Sequence, residues 1–226
     1  MMNTPKLIVV TGRPGSGNTT LAHALARSIR CPALCRDECK EGFIHTFGAR
    51  ATPEDHRKLN GHVYHTFFRA VELLLRERIT LVAEAAFQHK LWVPKLQPLQ
   101  AIAQIRLIVC AIDPVLAHTR FLQRGFADPE REGYHGSAWI QPHPEDTERT
   151  IRPYEPPRLA VPCLTVDTAD GYKPSLEQIK AFAITTGQEA YQNDRLRNWP
   201  GPILGEAPPA GLLNGLQPRE SNTDQV

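Results

Sequence analysis

Residues 11–20 read TGRPGSGNTT and stand between an apolar, β-branched run, KLIVV at 6–10, and an amphipathic stripe that begins at Thr19. A strand that ends in glycines and opens at once into a helix admits few folds. Gly12, Gly17 and Thr19 fit G-x-x-x-x-G-K-[ST] at every fixed position but one, where Asn18 replaces the lysine. Without that lysine the pattern is weak, and a chain of this length would match it by accident about one time in eight. The strand before it and the helix after it decide in favour of a phosphate-binding loop over a structural turn. Glycines let the backbone wrap an anion with its N–H groups inward, and the helix N-terminus adds positive potential. The expected cradle is Gly12, Arg13, Pro14, Gly15, Ser16, Gly17, Asn18, Thr19 and Thr20.

Within the cradle, Thr19 is expected to reach a magnesium ion. Thr20 either bonds a further phosphate oxygen or is an ordinary early-helix residue. Asn18 donates hydrogen bonds but brings no charge to the β and γ phosphates. Losing a charge-assisted hydrogen bond costs roughly 1.5–3 kcal/mol in the ground state. Removing a preorganised charge from a transition state typically slows a reaction about a hundred- to thousandfold, so catalysis is more exposed than binding. Arg13 is either a substitute cation or a solvated loop arginine. Lysine and asparagine codons differ in the third base only, which fits drift and engineering equally.

Twenty-six basic and twenty-four acidic residues among 226 leave a net charge of +2, so no overall field drives binding to nucleic acid or a membrane. Acidic ligands must meet a local cluster. One lysine precedes the four-residue apolar run near the start, too short for a signal-peptide core, and no window reaches membrane-spanning length. The expected location is cytoplasmic. Five cysteines are expected to be reduced, with Cys110 and Cys163 in strand-like runs. Cys31, Cys35 and Cys39 recur every fourth residue but lack a Cys-x-x-Cys pair, and Pro32 breaks any helix that would align them, so no zinc site is expected there.

The remaining periodicity alternates strand and helix. A helix is expected from about Thr19 to Arg30, where Leu21, Leu25 and Ile29 form a stripe ended by Pro32. ALCRDE (33–38) predicts a short strand running into a polar loop. Thr52, Pro53 and Asp55 start a long helix to about Arg78. Further strands are expected at 79–85, 105–112 and 163–168, with helices from about Lys90, from Asp113 to a close at Gly125, and from Ser175 in a capping box with Gln178. The fold class is therefore α/β: a three-layer α/β/α arrangement on a largely parallel five-stranded sheet. We expect one domain over 1–186 with a lid at about 124–160, and beyond it a helix remnant and a Pro/Gly-rich tail, mobile from about 198.

Taken together, TGRPGSGNTTLAHALA, CRDECKEGFIHTFG, LVAEAAF and IDPVLAHTRFLQR resemble P-loop kinases grouped as AAA-type ATPases or predicted kinases. That group is related to chloramphenicol phosphotransferase and to zeta-toxin-like kinases. The resemblance spans about 6–186 and departs at Asn18. It implies a nucleotide kinase-like fold, ATP with Mg2+ as donor and a small hydroxylated acceptor. It also implies that Asp37 takes the acceptor hydroxyl's proton, the alternative being a helix cap or a pair with Arg36; Glu38 is the weaker neighbour. Glu84, at the end of a buried strand, takes the place of the acid that supports magnesium or orients the attacking group, against a structural ion pair. Arg120 and Arg124, four apart on one helix face, and Arg131 in the lid match arginines that neutralise the moving phosphoryl group, against a solvated basic face. The DTADG turn at 167–171 is a weak candidate for adenine, and His45 and Phe47 for the acceptor pocket. His56, His62 and His65 lack an acidic partner and are expected to be surface or core histidines. The expected function is an ATP-dependent small-molecule kinase impaired at Asn18. The alternative is an ATP-binding module without turnover that serves a partner or switch.

Overall fold

The computed structural model describes residues 4–48, 52–129, 134 and 154–185. Five parallel strands, β1 (Lys6–Gly12), β2 (Ala33–Cys35), β3 (Leu81–Glu84), β4 (Gln104–Ala111) and β5 (Cys163–Asp167), lie in the order β2-β3-β1-β4-β5. Helices alternate with them: α1 (Asn18–Ile29), α2 (Arg36–Phe47), α3 (Pro53–Arg76), α4 (His89–Leu99), α5 (Pro114–Ala127) and α6 (Leu176–Ile184). The three-layer α/β expectation holds.

Alternation along β1 explains the layers. Leu7 and Val9 face one side, where Phe67, Val71, Leu75, Trp92 and Leu96 of α3 and α4 complete a core. Ile8 and Val10 face the other, against Leu21 and Leu25 of α1 and Ile179 and Phe182 of α6. Both faces are buried, as a parallel sheet requires, and each large apolar side chain so buried contributes roughly 1.5–3 kcal/mol. In register, Val10 pairs with Glu84 and Cys35 pairs with Glu84 from the opposite side. The ends of β1, β2 and β3 therefore meet at one carboxyl edge, next to where β1 turns into α1.

Caps set several boundaries as expected. Thr52 accepts from the Asp55 amide, Asp113 accepts from the amides of Val115 and Leu116, and Ser175 with Gln178 forms a capping box. Two expectations need correction. Residues after Cys35 are not a loop: α2 begins at once, so Asp37 lies in its first turn and His45 and Phe47 in its last. Its polar sequence hid it, because only Lys40 and Ile44 are buried and no apolar stripe forms. Helix α1 ends as expected, at the C-cap Arg30 two residues before Pro32, where φ is a left-handed 58° and the amide caps Ala26 and Arg27. Gly125 does not close α5, which continues to Ala127. Most of the expected lid, Arg131 included, and everything beyond 185, the expected tail included, lie outside the described residues.

A buried polar knot ties the carboxyl edge to the segment at 154–160. Thr11 Oγ1 donates to the Ala85 carbonyl at 2.6 Å, accepts from Trp92 Nε1 at 3.1 Å and lies 2.5 Å from the Tyr154 hydroxyl. Tyr154 also reaches the Phe87 carbonyl at 3.3 Å. Thr11→Val keeps the shape but strands the Trp92 N–H, so urea denaturation should show a loss of about 1–3 kcal/mol, the range for an unsatisfied buried donor. A loss below about 0.5 kcal/mol would show that the knot carries little stability.

Candidate active site at the carboxyl edge

The turn from β1 to α1 is built around missing side chains. A Cβ on Gly12 would lie 2.4 Å from Ser16 Oγ and 2.9 Å from the Cys110 carbonyl oxygen. One on Gly15, at φ +82°, would lie 2.0 Å from the Ala117 carbonyl oxygen of α5. Gly17 differs: it has φ +78° but open space around its would-be Cβ. It is the N-cap of α1, makes no side-chain cap, and no acidic residue follows in the first turn. The first amides of α1 thus lack a side-chain acceptor, which is the local structure an anion completes. This cradle fits a polyphosphate.

Asn18 does not point outward as a surface residue. It is buried, its Nδ2 donates to Glu84 Oε1 in a very short contact, and Ser16 Oγ donates to its Oδ1 at 3.4 Å. Thr19 Oγ1 donates to Glu84 Oε2 at 3.3 Å. Glu84 is 3% exposed, and burial, then the charge of Asp37, pushes its pKa from 4.5 to about 8. Hydrogen bonds from Thr19 and Cys35 offset only part of that rise. A neutral amide at position 18 satisfies the carboxyl's geometry but not its charge. The hydroxyl of Thr19 and the carboxyl of Glu84 form an oxygen donor set of the kind Mg2+ takes, and their adjacency to the cradle fits a metal–nucleotide complex.

The charge of Asp37, in the first turn of α2, acts on Glu84 at the end of β3 and raises its pKa. Arg36 Nη1 donates to Asp37 Oδ1 at 2.8 Å while Nη2 donates to Asn60 Oδ1 at 2.7 Å, so the pairing with Arg36 is present alongside the placement at the edge. Lys40 follows one turn later and is 2% exposed. Burial, then Arg36, lowers its pKa, and Asp37 and Glu41 act against them. Arg13 is also buried, with its pKa lowered by burial and raised in part by Asp113. It lines a small cavity with Cys110, Ile112 and Tyr154, so it is not a solvated loop arginine.

The two arginines of α5 part company. Arg120 donates from Nη1 to the Thr168 carbonyl at 2.9 Å and from Nη2 to the Ala169 carbonyl at 2.6 Å. It fastens α5 to the turn after β5, which is the DTADG segment. Arg124 is exposed and lies over the Phe121 ring at 5.5 Å. Glu38 is bound to His23, not to the cradle. Phe47 is 61% exposed on α2, and His45 packs edge-on against Tyr134 at 5.6 Å. His56, His62 and His65 enter no metal-ligating group among the described residues. Sequence reasoning missed Lys40, Asn60, Tyr154 and the partner of Asn18, all long-range contacts or residues on helices with no apolar stripe.

A model of the Zeta toxin family matches residues 1–135. Among solved structures, a Chloroflexus aurantiacus J-10-fl protein described as a "putative kinase" is 28% identical at TM-score 0.69, covering 80% of this chain and 97% of its own. A sugar kinase from Janibacter sp. HTCC2649 is 14% identical at TM-score 0.49, covering 80% of this chain and 94% of its own. A gluconokinase from Sinorhizobium meliloti 1021 is 17% identical at TM-score 0.45, covering 80% and 91%. The last two likenesses are too slight to bear on activity. No match was found among curated proteins. No helix among the described residues is long and apolar enough to cross a membrane.

The raised Glu84 pKa has a testable consequence for stability. The folded state holds its proton up to about pH 8 and the unfolded chain releases it near 4.5. Folding is therefore favoured by this group below 4.5, and the advantage fades as pH rises to about 8. In nucleotide-free protein, Glu84→Gln should match the parent's melting temperature at about pH 5 and exceed it at about pH 8.5. Parallel melting curves across that range would contradict the protonated carboxyl.

Proposed function

Because this chain belongs to the Zeta toxin family, we propose that it is an ATP-dependent phosphotransferase acting on a small hydroxylated acceptor, slowed by Asn18. The observation that carries this is the meeting of three parts at one edge: the glycine turn, the Thr19–Glu84 pair and Asp37. Gly12, Gly15 and Gly17, with the first amides of α1, hold the phosphates. Thr19 and Glu84 hold Mg2+, which when bound neutralises phosphate charge. Asp37 takes the proton of the acceptor hydroxyl. Arg124 and Arg131 supply guanidinium charge from the lid side. Arg120, tied to 168 and 169, braces the turn that borders the nucleotide base and adds its charge behind it. Arg13 is a buried cation beside the cradle and serves where lysine is missing. The cations flanking Asp37, Arg36 and Lys40, favour an acceptor with negative or strongly polar groups. Five free thiols suit a reducing, ATP-rich cytoplasm.

A second reading rests on the Asn18–Glu84 contact. It leaves a neutral amide on a buried carboxyl in the cleft, an arrangement that binds without reacting. The two readings separate on phosphate transfer from labelled ATP to a panel of sugars, nucleosides and amino alcohols. For the kinase reading, Asn18→Lys should raise transfer about a hundred- to thousandfold. Asp37→Asn in that background should abolish transfer to alcohols and leave ATP affinity within about threefold. Equal ATP binding by both forms with no transfer by either would establish the binding module instead.

A further inference from the structure

Beside the phosphate cradle, three side chains from three elements converge on a point to which the proposed kinase chemistry assigns no role, joined to it through the hydrogen bond between Cys35 and Glu84. They are His23 from the second turn of α1, Cys35 at the end of β2 and Glu38 in the first turn of α2. Nε2 of His23 lies 2.6 Å from Glu38 Oε1 and 3.6 Å from Cys35 Sγ. The ligand-capable atoms of all three lie within 4.8 Å of one another.

The shared nitrogen is informative. A relay of the Cys-His-acid kind needs the thiol on one ring nitrogen and the carboxylate on the other. Here both face Nε2, so the imidazole has no second nitrogen in the path and cannot pass a proton from thiol to carboxylate. A single focus shared by a sulfur, a nitrogen and an oxygen is instead an arrangement that can close on a metal ion. Two donors bound to one tetrahedral zinc at about 2.3 Å for sulfur and about 2.0 Å for nitrogen lie about 3.6 Å apart. The observed Sγ to Nε2 separation equals that value. The carboxylate must withdraw by less than 1 Å to lie at tetrahedral spacing from the nitrogen. Its side chain is 46% exposed and free to swing, and that of His23 is 34% exposed, which leaves solvent a path to a fourth position.

We propose that His23, Cys35 and Glu38 form a binding site for a zinc-class divalent ion, with water as the fourth ligand. The mixed sulfur, nitrogen and oxygen set selects Zn2+ or Co2+ over Mg2+, which prefers oxygen alone. On binding, the Cys35 thiol loses its proton to solvent and the imidazole carries its proton on Nδ1, so one net proton is released per ion. The ion pins α1, the cradle helix, to β2 and α2, with Glu38 one residue from Asp37. The Cys31, Cys35, Cys39 spacing is not the ligand set: only the middle cysteine takes part, with partners from elsewhere in the chain.

The test uses the full reduced chain titrated with Co2+ and then Zn2+, with magnesium present in excess to occupy oxygen-only sites. A thiolate-to-cobalt charge-transfer band with intense tetrahedral visible bands should appear at one ion per chain and vanish as Zn2+ displaces Co2+. Cys35→Ser should remove the thiolate band, and Glu38→Gln, on an exposed helical turn, should keep the fold and weaken binding about tenfold or more. Cys31→Ser and Cys39→Ser should retain the spectrum. Absence of a thiolate band in the parent, its survival in Cys35→Ser, or unchanged affinity in Glu38→Gln would overturn the site. Circular dichroism of each variant separates loss of ligand from loss of fold.

Discussion

The turn from β1 into α1 leaves no room for side chains at two of its glycines, and the remainder of the carboxyl edge is arranged around it. At Gly12 the neighbouring β4 carbonyl and the Ser16 hydroxyl occupy the space a Cβ would take, and at Gly15 the backbone of α5 does. The turn is thereby locked against β4 and α5 at once. Gly17 keeps its left-handed backbone with nothing within 4 Å of its would-be Cβ, so the turn is open on that side. A backbone cradle of this kind depends on shape and on oriented amides, and it survives the loss of one charged side chain.

The amide at position 18 meets the carboxyl behind the cradle directly. Glu84 is fixed at the end of β3 between β1 and β2, where water does not reach it. A lysine at position 18 would supply the charge that keeps such a group ionised, whereas an amide supplies a hydrogen bond only. Burial, and then the charge of Asp37, hold the carboxyl's pKa up at about 8. The buried Arg13 and Lys40 bring positive charge to the same region.

Much of this was legible in the sequence because the signals were local. The strand–glycine–helix junction, the capping residues at Thr52, Asp113 and Ser175, and the alternation of strands and helices each depend on neighbours within a few residues. Helix α2 escaped because it is polar on nearly all sides and rests on α3 through Ile44 alone among its apolar residues buried there. The destination of Asn18 escaped for a different reason: it is decided by the register of β1 against β3, which sets Glu84 beside the cradle. Arg120 and Arg124 share a helix face, as their spacing requires, yet only the first reaches the turn after β5. The His23, Cys35 and Glu38 cluster is assembled from three elements, and no spacing along the chain announces it.

The account stands on the capacity of main-chain amides at the mouth of α1 to hold a nucleoside triphosphate without a lysine. Isothermal titration of the unaltered chain with magnesium-ATP addresses this directly. Saturable binding at one nucleotide per chain, abolished by a side chain introduced at Gly12 in protein that remains folded, is the predicted result. No heat of association at millimolar nucleotide, in the unaltered chain and with lysine restored at position 18, would contradict it.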